Sequence, residues 1–164
     1  MEKQNIVIRK ARITDVKDIH ALLMDWASKE MLLPRSLSQL YTHLRDFFVL
    51  SLVHQTPAGE QEEEVVGCCA LTLVWDDLAE IRSLAVAEDK CRMGFGGMLL
   101  DAAVAEAKEL GLRRLFALTY QVEFFARMGF AKVAKETMPQ KVWSDCINCP
   151  RFPDCNEVAV LRTI

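Results

Sequence analysis

The spacing of apolar residues along the chain predicts a mixture of strands and helices. The segment NIVIRKA, residues 5–11, predicts a first strand with Ile6 and Ile8 on one face. In TDVKDIHALLMDWA apolar residues recur every three or four positions, which predicts a helix with Thr14 as its N-cap. The segment LSQLYTHL predicts a short second helix that Ser36 caps. The chain therefore begins with a strand and two helices.

The middle and the end of the chain are richer in strands. Gly67 interrupts a long apolar strand and predicts a bulge, and at least one of the adjacent Cys68 and Cys69 should be buried. A glycine-rich turn precedes a helix over about 95–110, and Gly129 should end a short helix, VEFFARM. HQTPAGEQEEE predicts a polar turn. The expected strands are FFVLSLV, VVGCCALTLVW, AEIRSLAV, RRLFALTY and EVAVLRTI. Because the early strands follow one another without helices between them, we expect a mixed sheet flanked by helices.

Composition narrows the class of protein. Of the 164 residues, 51% are apolar, which suits one domain with a sizeable core. A formal net charge of −3 without a long basic tract argues against nucleic acid as a partner. The first ten residues lack the apolar stretch of a signal peptide, and no apolar run reaches membrane-spanning length. We therefore expect a single domain over residues 1–164 that is cytoplasmic and has no membrane partner.

The glycine-rich turn, DKCRMGFGG, carries the strongest chemical signal. It joins the strand EIRSLAV to a helix, and the first amides of a helix have no internal acceptor. Glycines at Gly94, Gly96 and Gly97 would let a phosphate approach those amides, and Arg92 could add a charge-assisted contact. The stretch lacks the Lys-Ser/Thr ending of a P-loop and the full dinucleotide fingerprint. The residues alone leave a phosphate site and an empty tight turn equally open.

The same stretch resembles motif A of the GNAT N-acetyltransferase superfamily, in which a strand ending in Leu-Ala-Val leads to an R/Q-x-x-G-x-G/A loop. The late segment FFARMGF resembles another element of that family, and the resemblance spans nearly the whole chain. It implies an α/β (α+β) fold with a mixed, mostly antiparallel, splayed sheet that binds acetyl-CoA at the splay. By this resemblance the pantetheine arm would bond the backbone of Leu84, Ala85 and Val86, and the pyrophosphate would lie on Arg92, Gly94, Gly96 and Gly97.

Two positions depart from the family pattern. Cys91 stands where the family usually has Arg or Gln, so one side-chain contact to phosphate is missing. Phe125 stands where the family often has a tyrosine that protonates the departing thiolate. Tyr120 is the nearest tyrosine in sequence, and whether it acts as the acid is open.

Glu80 is the candidate general base. Alternation places Glu80, Arg82, Leu84 and Val86 on one face of their strand. Glu80 lies about 20 Å from Val86 along an extended strand, far from the pyrophosphate and near the expected acetyl end. Its spacing also resembles that of the base glutamate in the histone-acetylating branch of the family. The alternative is that Glu80 pairs with Arg82 or faces solvent.

A narrower resemblance concerns the acceptor amine. ARITDVKDIHALL, MLLPRSLSQLY and VWDDLAEIRSLAV are similar to the short, stand-alone N-acetylglutamate synthases of bacterial arginine biosynthesis. In that family an arginine in an LLPRS-like element binds the substrate side chain, and Arg35 matches it. Arg82, on the face of Glu80, could hold a second carboxylate. The alternatives are an exposed loop residue at Arg35 and an ion pair with Glu80 at Arg82.

The cysteine loop at about 143–156 is a possible metal site. A CxxC pair can chelate zinc, but structural zinc takes four ligands and no fourth cysteine or histidine lies nearby. Asp145, Asp154 or Cys91 could complete the set, and three reduced thiols without a metal are the favoured alternative. The loop has the spacing C-x2-C-x5-C at Cys146, Cys149 and Cys155.

The sequence therefore predicts an N-acetyltransferase that acts on the α-amino group of a small amino acid, with glutamate the first candidate and arginine biosynthesis its setting. Glutamine, a polyamine or a protein N-terminus are alternative acceptors. A non-catalytic sensor of acyl-CoA or metal is an alternative of another class. A homodimer is one of the oligomeric states left open.

Overall fold

The computed structural model describes residues 5–138 and 157–164. The α-helices in them are α1 (Val16–Ser28), α2 (Leu37–Thr42), α3 (Phe95–Glu109) and α4 (Val122–Arg127). The strands are β1 (Asn5–Lys10), β2 (Phe47–Gln55), β3 (Gln61–Leu73), β4 (Leu78–Val86), β5 (Arg114–Thr119), β6 (Ala131–Val133) and β7 (Val158–Thr163). The sequence pattern predicts each of these helices and strands except β6, which is only three residues long.

The strands form a seven-stranded sheet in the order β1-β2-β3-β4-β5-β7-β6. The pairs β1–β2, β2–β3, β5–β7 and β6–β7 are antiparallel, and β4–β5 is parallel. The parallel pairing joins only Leu78, Ala79 and Glu80 to β5, although both strands continue beyond it. The sheet is therefore mixed and mostly antiparallel, and the expected fold class is confirmed.

By its contacts the chain divides into two compact units, Met1–Leu71 with Ser83–Glu106 and Thr72–Arg82 with Ala107–Ile164. The first unit packs the buried faces of α1 and α2 on β2 and β3, with Ile19, Leu23 and Phe47 fully or almost fully buried in its core. The second unit has its own cluster around Leu78 and Phe116. A single acetyltransferase domain over the whole chain stays a prediction.

Gly67 lies at the predicted bulge. The β2–β3 register passes from Leu50 opposite Gly67 to Ser51 opposite Val65, which leaves Val66 as the extra residue. A Cβ at position 67 would stand 2.9 Å from Leu99 Cδ1 of α3, which is closer than carbon atoms pack. A side chain at position 67 would force Leu99 to shift, so glycine permits the close approach of α3 to β3. The neighbouring Cys68 and Cys69 are both fully buried.

Two local predictions are wrong and two are confirmed. Thr14 does not cap α1, which starts at Val16 after a short 3₁₀ turn, Ile13–Asp15. The glutamates of EQEEE largely belong to β3 rather than to a turn, although they are exposed as expected. Ser36 does cap α2, because its Oγ accepts the Gln39 N–H at 3.1 Å. The left-handed φ of Gly129, 88°, follows the end of α4.

Asp15 instead organises the start of α1. Its carboxylate accepts two hydrogen bonds from the Arg9 guanidinium, at 2.6 and 3.0 Å, and one from the Arg12 N–H at 2.7 Å. Burial alone would raise the pKa of Asp15, but these hydrogen bonds outweigh it and the pKa lies below its ordinary value. A lowered folded-state pKa stabilises the fold above the unfolded pKa, about 3.9, and this stabilisation is lost as the pH falls through the folded value.

We expect Asp15→Asn to lower the free energy of unfolding at neutral pH by about 1.5–3 kcal/mol, the worth of hydrogen bonds to a charged group. Urea unfolding at pH 7 and at pH 3 measures this, and the difference between wild type and variant should shrink at the lower pH. Asp101→Asn, on the exposed side of α3, is the matched control. Equal stability of Asp15→Asn and wild type at pH 7 would contradict the prediction.

Candidate active site

The glycine-rich turn leads into α3 as the sequence predicts. After β4 a short 3₁₀ turn, Glu88–Lys90, is followed by a loop and by Phe95, the first residue of α3. Gly94 has a φ of 82°, and its carbonyl accepts the Met98 N–H at 3.1 Å. The first-turn amides, Phe95, Gly96 and Gly97, have no acceptor within the helix because no turn precedes them.

The space around this turn suits an anion. A Cβ at Gly94 would have no neighbour within 4 Å, so the loop is open on that side. Arg92 is exposed and has a φ of 68°, a conformation that side-chain-bearing residues rarely adopt. Free amides at the start of a 15-residue helix, beside an exposed guanidinium, are a suitable environment for a pyrophosphate.

Cys91, at the position where the family has Arg or Gln, brings no charge to the turn. Burial, and then the carboxylate of Glu88, raise the pKa of its thiol above the ordinary value. Its Sγ lies 3.5 Å from the Ala87 carbonyl oxygen, to which the protonated thiol can donate. The thiol is therefore neutral at physiological pH and neither attracts nor repels a phosphate.

The end of β4 carries the three residues expected to bond a pantetheine arm, Leu84, Ala85 and Val86. The Trp26 indole N–H of α1 donates to the Val86 carbonyl at 2.9 Å, and the Ala87 N–H donates to the Val66 carbonyl at 2.8 Å. The Val86 carbonyl therefore already accepts one hydrogen bond, and a pantetheine arm that bonded to this carbonyl would share it with Trp26. Nothing in the sequence indicates this bond across 60 positions.

Ser83 interrupts the regular geometry of β4. Its φ is 52°, whereas an extended strand has a strongly negative φ. Ile81 and Ala85 are buried, but Arg82, Ser83 and Leu84 between them are all partly exposed, so the predicted alternation is interrupted at Ser83. The backbone is therefore not extended throughout, and the expected 20 Å between Glu80 and Val86 is an upper bound.

Glu80 and Arg82 lie near each other in the second unit. Arg82 Nε is 3.7 Å from Glu80 Oε2, and their side chains are 26% and 14% exposed. The ion pair that the sequence left open as an alternative is therefore present. At 3.7 Å the contact is too long for a hydrogen bond. It agrees with the prediction that the two side chains share a face of β4.

The two aromatic candidates for the acid have different environments. Phe125 is 4% exposed, and its ring packs edge-on against Phe124 and Phe130, with centroids 5.2 and 5.1 Å away. Phe125 therefore serves packing and supplies no proton. Tyr120 follows the last residue of β5 and is half-buried. Its role as the acid stays a prediction.

Arg35 lies in the first unit between α1 and α2. It is half-buried, with its Cζ 5.6 Å from the centre of the Phe47 ring and its Nη1 3.3 Å from Ser83 Oγ. Arg35 is therefore not the ordinary exposed loop residue that the sequence left open as an alternative. The sequence singled out Arg35, but it did not indicate the contacts with Phe47 and Ser83.

A second charged feature of the first unit is an acidic surface groove. Asp18 and Asp25 of α1 and Glu88 and Asp89 of the 3₁₀ turn line it. Lys29 contacts two of these carboxylates, Asp25 and Glu88. A phosphate would be repelled by the remaining negative charge, so this groove does not suit a phosphate-bearing ligand.

Neither a metal site nor a membrane span is found in the part of the chain that the structure describes. Residues 5–138 and 157–164 contain no group of three or more His, Cys, Asp and Glu side chains that could hold a metal ion. Cys146, Cys149 and Cys155 lie outside these residues, so the possible metal at the cysteine loop is not decided by them. None of the helices in the described ranges has both the length and the apolar character needed to cross a bilayer.

Comparisons with known proteins identify the class. Residues 19–130 match the family model described as the acetyltransferase (GNAT) family. An uncharacterized N-acetyltransferase of Chlorobaculum tepidum is 37% identical over 164 residues, the full length of both chains. An amino-acid acetyltransferase of Mycobacterium tuberculosis is 37% identical over 139 residues, which are 85% of this chain and 76% of that protein.

A solved structure shows the same fold. The N-acetylglutamate synthase of Neisseria gonorrhoeae, complexed with coenzyme A and N-acetyl-glutamate, superposes with a TM-score of 0.81 at 29% identity. The match covers 99% of this chain and 36% of that one. The fold and the relatives define an acyltransferase. The chain belongs to the GNAT family, and the protein is an N-acetyltransferase whose cosubstrate is acetyl-CoA.

Replacing Gly96 by valine tests the proposed pyrophosphate site. Gly96 is half-buried in the first turn of α3, and we expect a branched side chain there to hinder the approach of a phosphate to the first-turn amides. We expect the acetyl-CoA affinity to fall at least about tenfold, the worth of one charge-assisted hydrogen bond, in calorimetric titrations. Ala105→Val, on an exposed position of the same helix, should bind as wild type does. An unchanged affinity in a folded Gly96→Val variant would exclude this turn as the phosphate site.

Proposed function

We propose that the protein transfers the acetyl group of acetyl-CoA to the α-amino group of L-glutamate, the first step of arginine biosynthesis. The observation that carries the choice of substrate is the half-buried Arg35, held against Phe47 and Ser83. A guanidinium in a partly desolvated position is suited to a two-point grip on a carboxylate. The relatives named amino-acid acetyltransferases, and the similar synthase solved with N-acetyl-glutamate, support the same choice.

Acetyl-CoA supplies the acetyl group as a thioester, whose C–S bond is exchanged for the new C–N bond. In the proposed mechanism the amides of Gly96 and Gly97, with Arg92, hold the pyrophosphate. The backbone of Leu84, Ala85 and Val86 holds the pantetheine arm, and one N–H of this segment polarises the thioester carbonyl.

Glu80 is proposed to accept the proton of the substrate ammonium, directly or through a water molecule. The neutral amine can then attack the carbonyl carbon and form the C–N bond as the C–S bond breaks. The nitrogen gives up a second proton to solvent as it becomes an amide, and the departing thiolate takes up one proton. Tyr120 is the proposed donor of that proton, because Phe125 has none to give. Arg82, 3.7 Å from Glu80, is proposed to hold the second carboxylate of glutamate.

A thiol-release assay tests the proposed function. Purified protein and acetyl-CoA are mixed with each of the twenty amino acids in turn, and free CoA thiol is measured. We expect L-glutamate to give the highest kcat/KM. Preference for another amino acid would refute glutamate as the substrate. Binding of acetyl-CoA without thiol release for any amine would favour the sensor that the sequence left open.

The assay should include a polyamine and an N-terminal peptide. The acidic groove of Asp18, Asp25, Glu88 and Asp89 is the one observation that favours a polycationic acceptor. Lys29 already offsets part of its charge, which is why glutamate remains the first choice. A higher kcat/KM for spermidine than for glutamate would make a polyamine the first candidate acceptor. In the glutamate-specific role the protein would act in the cytoplasm.

A further inference from the structure

Ser83 adopts a backbone conformation that is unfavourable for a residue with a side chain. Its φ of 52° lies in the left-handed region, which residues with a side chain rarely adopt. Such a conformation persists only where surrounding contacts determine it, and it is commonest at functional positions. Ser83 lies within β4, between Arg82 and Leu84, rather than in a turn where a left-handed residue would be unremarkable.

Two contacts from elsewhere in the first unit hold Ser83. The Cys68 thiol donates to the Ser83 carbonyl oxygen, with an S···O distance of 3.4 Å. Cys68 is fully buried, and burial raises the pKa of its thiol to about 12, so it stays protonated and remains a donor. The second contact is the hydrogen bond from Arg35 Nη1 to Ser83 Oγ at 3.3 Å.

The same two contacts determine where the Ser83 hydroxyl lies relative to Arg35. The hydrogen bond from Cys68 holds the Ser83 carbonyl against β3. Because the backbone of Ser83 is left-handed, its side chain does not follow the alternation of an extended strand. The Arg35 guanidinium also lies over the ring of Phe47, which is fully buried. The guanidinium has five N–H donors, and Ser83 uses one of them. The Phe47 ring on one side and the Ser83 hydroxyl at the edge together define the orientation of the planar Arg35 guanidinium.

We infer that Ser83 is a positioning residue for Arg35, and that its hydroxyl makes the protein select an acceptor amino acid with a side-chain carboxylate. The inference rests on the proposed function, because it concerns the residue proposed there to bind that carboxylate. It assigns Ser83 no contact with the reacting atoms. Its consequence is that the loss of one hydroxyl should change substrate preference while leaving the chemical step intact.

Two substitutions separate the hydroxyl from the backbone. Ser83→Ala removes the hydroxyl and keeps the disfavoured φ, whereas Ser83→Gly removes the hydroxyl and also makes that φ acceptable. We expect both to raise the KM for glutamate about three- to tenfold, the worth of one hydrogen bond, with kcat within about twofold of wild type. The KM for glutamine should change less, so the preference for glutamate should shrink. Ser38→Ala, on the exposed side of α2, is the matched control.

A double-variant cycle tests whether Ser83 acts through Arg35. In the Arg35→Ala background, Ser83→Ala should have no further effect on the glutamate-to-glutamine ratio. An additional effect of the same size would mean that Ser83 acts on the substrate by itself and would overturn the inference. So would an unchanged ratio in Ser83→Ala with wild-type Arg35. If Ser83→Ala fails to fold, Ser83→Gly decides by the same criteria.

The wild-type assay keeps this inference distinct from the proposed function. Wild-type turnover of glutamate with an unchanged ratio in the Ser83 variants overturns the positioning role and leaves the proposed function standing. A wild type that does not acetylate glutamate overturns the proposed function and this inference with it.

Discussion

Replacing Glu80 by glutamine is expected to lower kcat by about 10²–10⁴-fold, the usual contribution of a general base. The variant keeps the shape of the side chain and loses its basicity. Because the base must be ionised to accept a proton, the wild-type rate should fall towards low pH. The part of this fall in rate that results from protonation of Glu80 should be absent from the Glu80→Gln variant. Rates measured from about pH 5 to 9, with saturating acetyl-CoA, test both expectations.

The ion pair with Arg82 offers a competing role for Glu80 that the experiment must separate. If Glu80 only orients Arg82 across their 3.7 Å contact, its loss should raise the KM for the amino acid and leave kcat nearly unchanged. Loss of the base should instead lower kcat at saturation. Acetyl-CoA affinity, measured by calorimetry, should stay at the wild-type value in either case.

Glu123→Gln, an exposed glutamate on α4, is the matched control for the loss of one carboxylate charge. It should keep wild-type kcat and KM. Wild-type turnover of Glu80→Gln across the pH range would remove Glu80 from the chemistry.

Replacing Arg35 by alanine is expected to raise the apparent KM for glutamate by roughly tenfold to a hundredfold or more. The reason is the loss of a charge-assisted bond to the side-chain carboxylate, worth about 1.5–3 kcal/mol. Glutamine has no charge there and should suffer less, so the preference between the two amino acids should shrink. Acetyl-CoA affinity should not change, since Arg35 is not among the residues proposed to bind it.

Arg35→Lys is the informative companion to this variant. An ammonium restores the charge but not the planar two-point grip, and it cannot lie over the Phe47 ring as a guanidinium does. We therefore expect only partial rescue of the glutamate KM. Arg45→Ala, an exposed arginine in the segment that follows α2, controls for the loss of one positive charge. An unchanged glutamate-to-glutamine ratio in Arg35→Ala would remove the main reason for proposing glutamate.

Features whose signal lies in neighbouring residues could be predicted from the sequence. The helix after the glycine turn was expected over about 95–110 and is Phe95–Glu109, because apolar periodicity and free first-turn amides are local properties. Ser36 and Gln39 cap α2 through atoms three positions apart. The bulge at Gly67 was also visible, since a glycine inside an apolar strand often marks a bulge or a close approach of another segment.

Features that depend on pairing between distant segments were mispredicted or missed. The glutamates before Val65 were assigned to a turn by composition, but β2 pairs with them as far as Gln55 opposite Gln61 and draws them into β3. β6 has three residues and too little pattern of its own, and it exists because β7 pairs with it. Thr14 was a suitable cap by type, yet the hydrogen bonds of Asp15 to Arg9 and Arg12 decide where α1 begins.

By itself the sequence determined the class of protein, the order of its main elements and a list of candidate residues, because residue type and spacing carry that information locally. Only the tertiary structure decided how some of those residues are held. Arg35 meets Ser83 across 48 positions and Trp26 meets Val86 across 60, and no spacing rule relates residues so far apart. The left-handed backbone of Ser83 is likewise a property of its packing, since serine alone favours an extended strand there over the conformation it adopts.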